Sequence, residues 1–396
     1  MFKKFIAVFL ALVLVLSFAA CGKKDPVEEK PTVPVTSEDI PMSEKKIAIL
    51  VPAGTQFNES VMAAKEIAKE YSGKVIVKEF DNSSVLADNK NSLFEVTNQI
   101  AADKTIGAVI YSKAARLTNE AILSAKMTNP DLHFICIEPE ASVGNLAELS
   151  DAVLCVDWVK AADDIVAFAK SQGAKYFLMT SFNRHLSGSS SADNVSLLAS
   201  TAKSAIGSAC KKQGIEFIYH NAPDPISADG KDAVIKSIRE GIARYKKNGT
   251  LKGSDVAVFS TDYHIQNELL GIADENNYIW IGPSFPTAYN GVGEYLKVAL
   301  PEKVSDVAAY KDEVKKASAE MTKASIYTYP LEATLLRAAV HIAFDILAGK
   351  TDSSNLRERV TMRLTDAAAN DKFTSKLFGG YSNVFAVYCP AFESAK

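Results

Sequence analysis

From Lys45 onward the chain alternates short apolar runs, rich in β-branched residues, with amphipathic stretches of helical period. Few architectures accommodate that rhythm. A strand that is apolar at nearly every position needs cover on both faces, so the alternation predicts an α/β fold of parallel sheets flanked by helices. Strands are predicted at 47–52, 74–80, 106–112, 133–138 and 152–157, and then at 176–181, 215–220, 256–261, 278–282 and 384–389. Apolar residues three and four apart mark one buried stripe per helix, as in Ile235, Ile238, Ile242 and Tyr245, or in Ile265, Leu269 and Ile272. Gly173 stands where a helix stop requires positive φ, and Pro330 and Gly349 bracket a strong helix over 331–348. The segment 284–325 carries a charged helical pattern without a clear strand. Two strand sets in a chain of 396 residues exceed what one core accommodates and predict two Rossmann-like lobes.

The N-terminus follows a different logic. Lys3 and Lys4 precede an unbroken apolar run from Phe5 to Leu16, and Ser17-Phe18-Ala19-Ala20 lead to Cys21. A basic start, an apolar core and small residues at the cut make a secretory signal, and the run is too short to span a bilayer stably. The cysteine directly after the small residues resembles the bacterial lipobox. That resemblance implies removal of residues 1–20, lipidation of Cys21 by a palmitate-type chain, and a protein anchored at the cell membrane on its extracytoplasmic side. Residues 21–44, with Pro26, Pro31, Pro34, Pro41 and many charges, bury too little surface to fold and read as a tether.

With 44 basic and 47 acidic residues and no basic block, the chain is not suited to nucleic acid. Cys136, Cys155, Cys210 and Cys389 sit singly in apolar runs and read as small buried hydrophobes. Cys136 and Cys155 fall in consecutive strands, where a disulfide is conceivable but strained. In open α/β sheets ligands bind beyond the carboxyl ends of the strands. The first set supplies Thr55, Gln56, Phe57 and Asn58, then Ser112 and Lys113, then Glu138, then Asp157 and Trp158. The second supplies Ser181, Phe182, Asn183 and Arg184 with His185, then Asp224, then Thr261, Asp262 and His264, then Ser284 and Phe285. Asp157 serves equally as the cap of the following helix. Polar groups with a few aromatics suit a small polar ligand. Ser181, His185 and Asp262 can be written as a triad, yet the nucleophile elbow, phosphate loop, dinucleotide loop and H-E-x-x-H motifs are absent. The five histidines lack metal-pair spacing, so no metal or cofactor is expected.

The runs Ile135-Cys136-Ile137-Glu138 and Val153-Leu154-Cys155-Val156-Asp157-Trp158, the helix ending at Gly173 and the strand from Tyr176 to Ser181 resemble the type I periplasmic binding proteins. The chain is similar to an uncharacterised lipoprotein family of that fold, and distantly to basic membrane lipoproteins and sugar receptors. It departs from the nucleoside-binding members after the first strand, where Pro52-Ala53-Gly54-Thr55-Gln56-Phe57-Asn58 replaces a D-x-G-x-x-D loop. The resemblance implies two lobes joined by three crossings: near Trp158, between Pro283 and Ile326, and between Gly349 and Val384. Residues 45–157 plus 326–350 would form one lobe, 158–283 plus 352–396 the other. It further implies a non-enzymatic solute-binding protein that captures a small polar molecule between the lobes and hands it to an ABC transporter permease. A sensing receptor of the same fold feeding a membrane signalling partner is the alternative, and an extracytoplasmic hydrolase is the third.

Overall fold

The computed structural model describes residues 39–82, 91–140, 143–186, 195–226, 230–321 and 323–395. The predicted signal, Cys21 and most of the tether lie outside the described residues, as do the side chains of Arg184 and of residues 195–200. The first five strands are β1 (Lys46–Pro52), β2 (Val75–Phe80), β3 (Ile106–Tyr111), β4 (His133–Ile137) and β5 (Ala152–Val156). Between them run α1 (Asn58–Glu70), α2 (Asn91–Ala102), α3 (Thr118–Thr128) and α4 (Val143–Leu149). The period-2 geometry of a strand explains the all-apolar runs. Ile47, Ile49 and Val51 enter one core with Ala64 of α1, whereas Ala48 and Leu50 enter another with Leu93 of α2 and Ile122 of α3.

The chain then crosses into a second lobe of the same construction. Its elements are α5 (Trp158–Ser171), β6 (Tyr176–Phe182), α6 (Asn183–Leu186), α7 (Val195–Gln213), β7 (Glu216–Ala222) and α8 (Gly230–Lys247). They continue with β8 (Val256–Ser260), α9 (Gln266–Glu275), β9 (Ile279–Trp280), α10 (Val292–Tyr295) and α11 (Val307–Ala317). The sheet is parallel in the order β7-β6-β8-β9. Gly173 ends α5 with φ 87°, as its position requires. The segment 284–325 stays with this lobe, because Ala324 bridges Trp280 at the sheet edge.

The last elements are β10 (Ser325–Tyr327), α12 (Leu331–Leu347), α13 (Leu356–Ala368), β11 (Thr374–Leu377), β12 (Val384–Tyr388) and β13 (Phe392–Ser394). Here the structure corrects the assignment of 352–396 to the second lobe. β12 pairs with β5 in parallel and β11 with β12 antiparallel, so the first sheet has seven strands in the order β11-β12-β5-β4-β3-β1-β2. The third crossing therefore follows β12 instead of preceding it. An apolar strand such as Val384-Phe385-Ala386-Val387-Tyr388 carries no local mark of its partner, and two sheets compete for it. The apolar pattern does not reveal elements 356–368, 374–377 and 392–394, since α13 buries an arginine in its apolar stripe and β11 alternates between exposed and half-buried positions.

The three crossings lie side by side. β10 and β13 pair antiparallel. Tyr327 donates its hydroxyl to the Cys389 carbonyl at 2.6 Å, and Asp164 of α5 accepts from the Tyr388 hydroxyl at 2.9 Å and the Ala391 amide at 3.0 Å. Cys136, Cys155, Cys210 and Cys389 are buried and free. The β4–β5 register sets Cys136 opposite Val153, leaving Cys155 two positions further along. Among the described residues no helix is long and apolar enough to cross a membrane.

Candidate functional site

The carboxyl ends of both sheets face one cavity of about 200 Å³. Every strand except β7 in the second lobe, and β1 to β5 in the first, delivers lining residues from the loop that follows it. From the first lobe come Gln56 and Phe57, Asn82, Lys113, Glu138 with Pro139 and Glu140, and Trp158 at the start of α5. From the second come His185, Thr261, Asp262, Tyr263, His264 and Gln266, and the loop after β9 adds Pro283, Ser284, Phe285, Thr287 and Asn290. Glu332, at the first turn of α12, and Ala202 of α7 complete the wall.

Of the residues expected at strand ends, Gln56, Phe57, Lys113, Glu138, Trp158, His185, Thr261, Asp262, His264, Ser284 and Phe285 line this cavity. Thr55, Asn58, Ser112, Asp157, Ser181, Phe182 and Asn183 do not, and the Arg184 side chain is outside the described residues. The exclusions have physical causes. Asp157 caps α5, accepting from the Val159 amide at 3.1 Å and the Lys160 amide at 3.3 Å, and its other oxygen is 2.6 Å from Lys376 Nζ. β6 runs on to Phe182, so Ser181 and Phe182 stay in register with Asn221 and Ala222 of β7. Thr55 turns to Tyr263 and Glu294 across the mouth, its hydroxyl 3.0 Å from the Tyr263 hydroxyl. Asp224 accepts from its own loop at the Ile226 amide. Strand-end reasoning does not reach Glu332, Gln266 and Asn290, because they follow a helix start or a loop rather than a strand end.

Asp262, 3 % exposed, organises the second-lobe wall. Its Oδ1 lies 2.7 Å from His264 Nδ1 and accepts from the His264 amide at 2.8 Å, and its Oδ2 lies 3.3 Å from His185 Nε2. His185 Nδ1 is 2.9 Å from Thr261 Oγ1, which is 2.7 Å from Ser181 Oγ. Thr261 thus stands between Ser181 and His185. A serine triad would need the serine hydroxyl itself on the imidazole.

The first-lobe wall is acidic. Glu138 is 4 % exposed, and its backbone adopts φ 47°, a left-handed conformation that costs a non-glycine residue roughly 1–2 kcal/mol. Burial pushes its carboxyl up to about 8 and Glu332 adds to the rise, against the pull of Lys113. Lys113 itself is 3.6 Å from Glu140 and stands 5.2 Å above the Phe285 ring. Glu332 accepts from Ser60 Oγ at 3.0 Å. Behind it, fully buried Glu59 joins the lobes: Oε2 accepts from the Thr287 hydroxyl at 2.6 Å and the Ala288 amide at 2.8 Å, and Oε1 accepts from the Ala333 amide at 3.1 Å. Burial raises both carboxyls above their ordinary range, and repulsion from Glu332 adds to the rise at Glu59. Asn290 Nδ2 donates to the Gln56 carbonyl at 3.0 Å, a further bridge between the lobes.

Two lobes of parallel sheet, three adjacent crossings and a polar cleft at the strand ends define the type I periplasmic-binding-protein fold. Solved structures agree: the chain is similar to a candidate transcriptional regulator from Clostridium difficile 630, with TM-score 0.63, 18 % identity and coverage of 89 % of this chain and 99 % of that one. It is also similar to a periplasmic ribose ABC transporter from Conexibacter woesei DSM 14684, with TM-score 0.50, 12 % identity and coverage of 83 % and 98 %. At such identities the likeness is one of fold. The chain belongs to the family described as "Protein of unknown function (DUF3798)", whose model matches residues 45–326. Two uncharacterised proteins of Treponema pallidum (strain Nichols) are relatives, 28 % identical over 152 residues (37 % of this chain, 67 % of the relative) and 25 % identical over 187 residues (45 % and 80 %).

Proposed function

We propose that this protein is an extracytoplasmic solute-binding lipoprotein, held at the membrane by lipid on Cys21, which captures a small polar molecule between its lobes and delivers it to an ABC importer. The observation that carries this reading is the interlobe cavity of about 200 Å³, walled by polar groups from both sheets. That size lies below the ~300–1,000 Å³ of drug-sized sites and suits a metabolite of sugar or amino-acid size. Contacts to both walls favour the closed arrangement, and the three adjacent crossings supply the hinge. Catalysis is not part of the reading, since Thr261 separates Ser181 from His185.

The two tryptophans test it. Trp158 lines the cavity at the first crossing, whereas Trp280 is 1 % exposed in the core. Titration with a mixture of small polar metabolites should shift the intrinsic fluorescence through a change of polarity at Trp158. Trp158→Phe should abolish the shift and Trp280→Phe should retain it. A shift that survives Trp158→Phe unchanged would move binding away from this cleft.

A further inference from the structure

We propose that the solute held in this cleft is a small organic cation, an amine- or guanidine-bearing metabolite whose N–H groups face Glu138 and Glu332. This deepens the solute-binding reading and rests on it. Among the described residues, the cavity-lining residues that carry a buried side-chain atom without a hydrogen-bond partner are Glu138 (Oε1), Gln266 (Oε1) and Asn290 (Oδ1). All three are acceptors. The amide orientations follow from their other ends, because Gln266 Nε2 must donate to Glu294 at 3.1 Å and Asn290 Nδ2 to the Gln56 carbonyl at 3.0 Å. Buried acceptors left unmade are costly, so the matching ligand is rich in donors.

Charge narrows donors to a cation. Lys113 is occupied by Glu140, and Asp262 by His185 and His264, which leaves Glu138 and Glu332 as carboxyls on the cavity wall with no ion-pair partner. A neutral polyol can hydrogen-bond to these carboxyls but does nothing to favour their charged form. A cation compensates the charge, and its N–H groups make the stronger, charge-assisted bonds. Burial holds both carboxyls above their ordinary range without such a partner, in keeping with a site that ionises around a cation. Trp158 and Phe57 line the same cavity, and aromatic rings attract cations as well.

The test is equilibrium dialysis of the full chain against an equimolar mixture of matched pairs: putrescine with butane-1,4-diol, glucosamine with glucose, and lysine with norleucine, together with agmatine. Retained compounds are identified by mass spectrometry. The expected result is retention of a cation without its less positively charged counterpart, weakened about tenfold to a hundredfold by Glu138→Gln or Glu332→Gln, the worth of one hydrogen bond to a charged group. The selectivity within a pair is read on the unaltered chain, so the test survives a variant that folds poorly. Retention of the diol, glucose or norleucine as strongly as the amine partner overturns the cation class and leaves the solute-binding reading standing. Retention of no compound overturns the cation class, and the solute-binding reading is then decided separately by what the isolated chain carries.

Discussion

Arg363→Met should lower the stability of the folded chain by about 3–5 kcal/mol, the cost of stranding a buried charge. Arg363 of α13 and Asp345 of α12 are both fully buried, joined through Nε at 2.7 Å and Nη2 at 2.8 Å. This bidentate pair locks α13 onto α12, the long helix that packs beneath the first sheet. Removing the cation leaves the Asp345 carboxylate in the core without its partner. The double change Asp345→Leu with Arg363→Met should recover most of the loss, since apolar replacements of a buried pair are often neutral. Urea midpoints of the three proteins measure both effects. A single variant as stable as the original chain would show that water reaches Asp345.

Glu59→Ala should cost about 2–4 kcal/mol, because it strands three buried donors, the Thr287 hydroxyl and the amides of Ala288 and Ala333. Two of these come from the loop after β9, so the variant should also loosen the second lobe from α1. Glu59 further makes stability depend on pH. In the unfolded chain its carboxyl ionises near 4.5, and in the folded chain burial and repulsion from Glu332 raise it to about 8. Between these values the folded state holds a proton that the unfolded state has lost, so stability falls as pH rises through that window. Glu138 and Glu332 act in the same direction. Glu59→Gln should therefore flatten the decline in urea midpoint between pH 5.5 and pH 8. An equal or steeper decline in Glu59→Gln would contradict the assignment.

Much of the fold is legible in residues whose period admits one reading. Ile47 to Val51 send alternate side chains into two cores, and no surface strand is apolar on both faces. Gly173 marks its helix end because positive φ is cheap only for glycine. What escaped were features set by partners distant in sequence. β12 reads as a strand but not as a neighbour of β5, and α13 hides its stripe because Arg363 occupies a core position made tenable only by Asp345. The site divides in the same way. Strand-end reasoning reaches Lys113, Glu138, Trp158, Asp262 and His264, since parallel strands open onto the switch point. It overreaches at Ser181 and Phe182, where β6 runs longer than its apolar pattern, and it misses Glu332, which the second crossing carries back over the first lobe.

Native mass spectrometry of the freshly isolated full chain tests the central claim, a cleft that holds one small polar solute. The account predicts a one-to-one complex with a small molecule, which Glu138→Gln depletes while Lys175→Gln, exposed just before β6, retains it. A chain that carries no such molecule, and takes none from an extract of small polar metabolites, would contradict it.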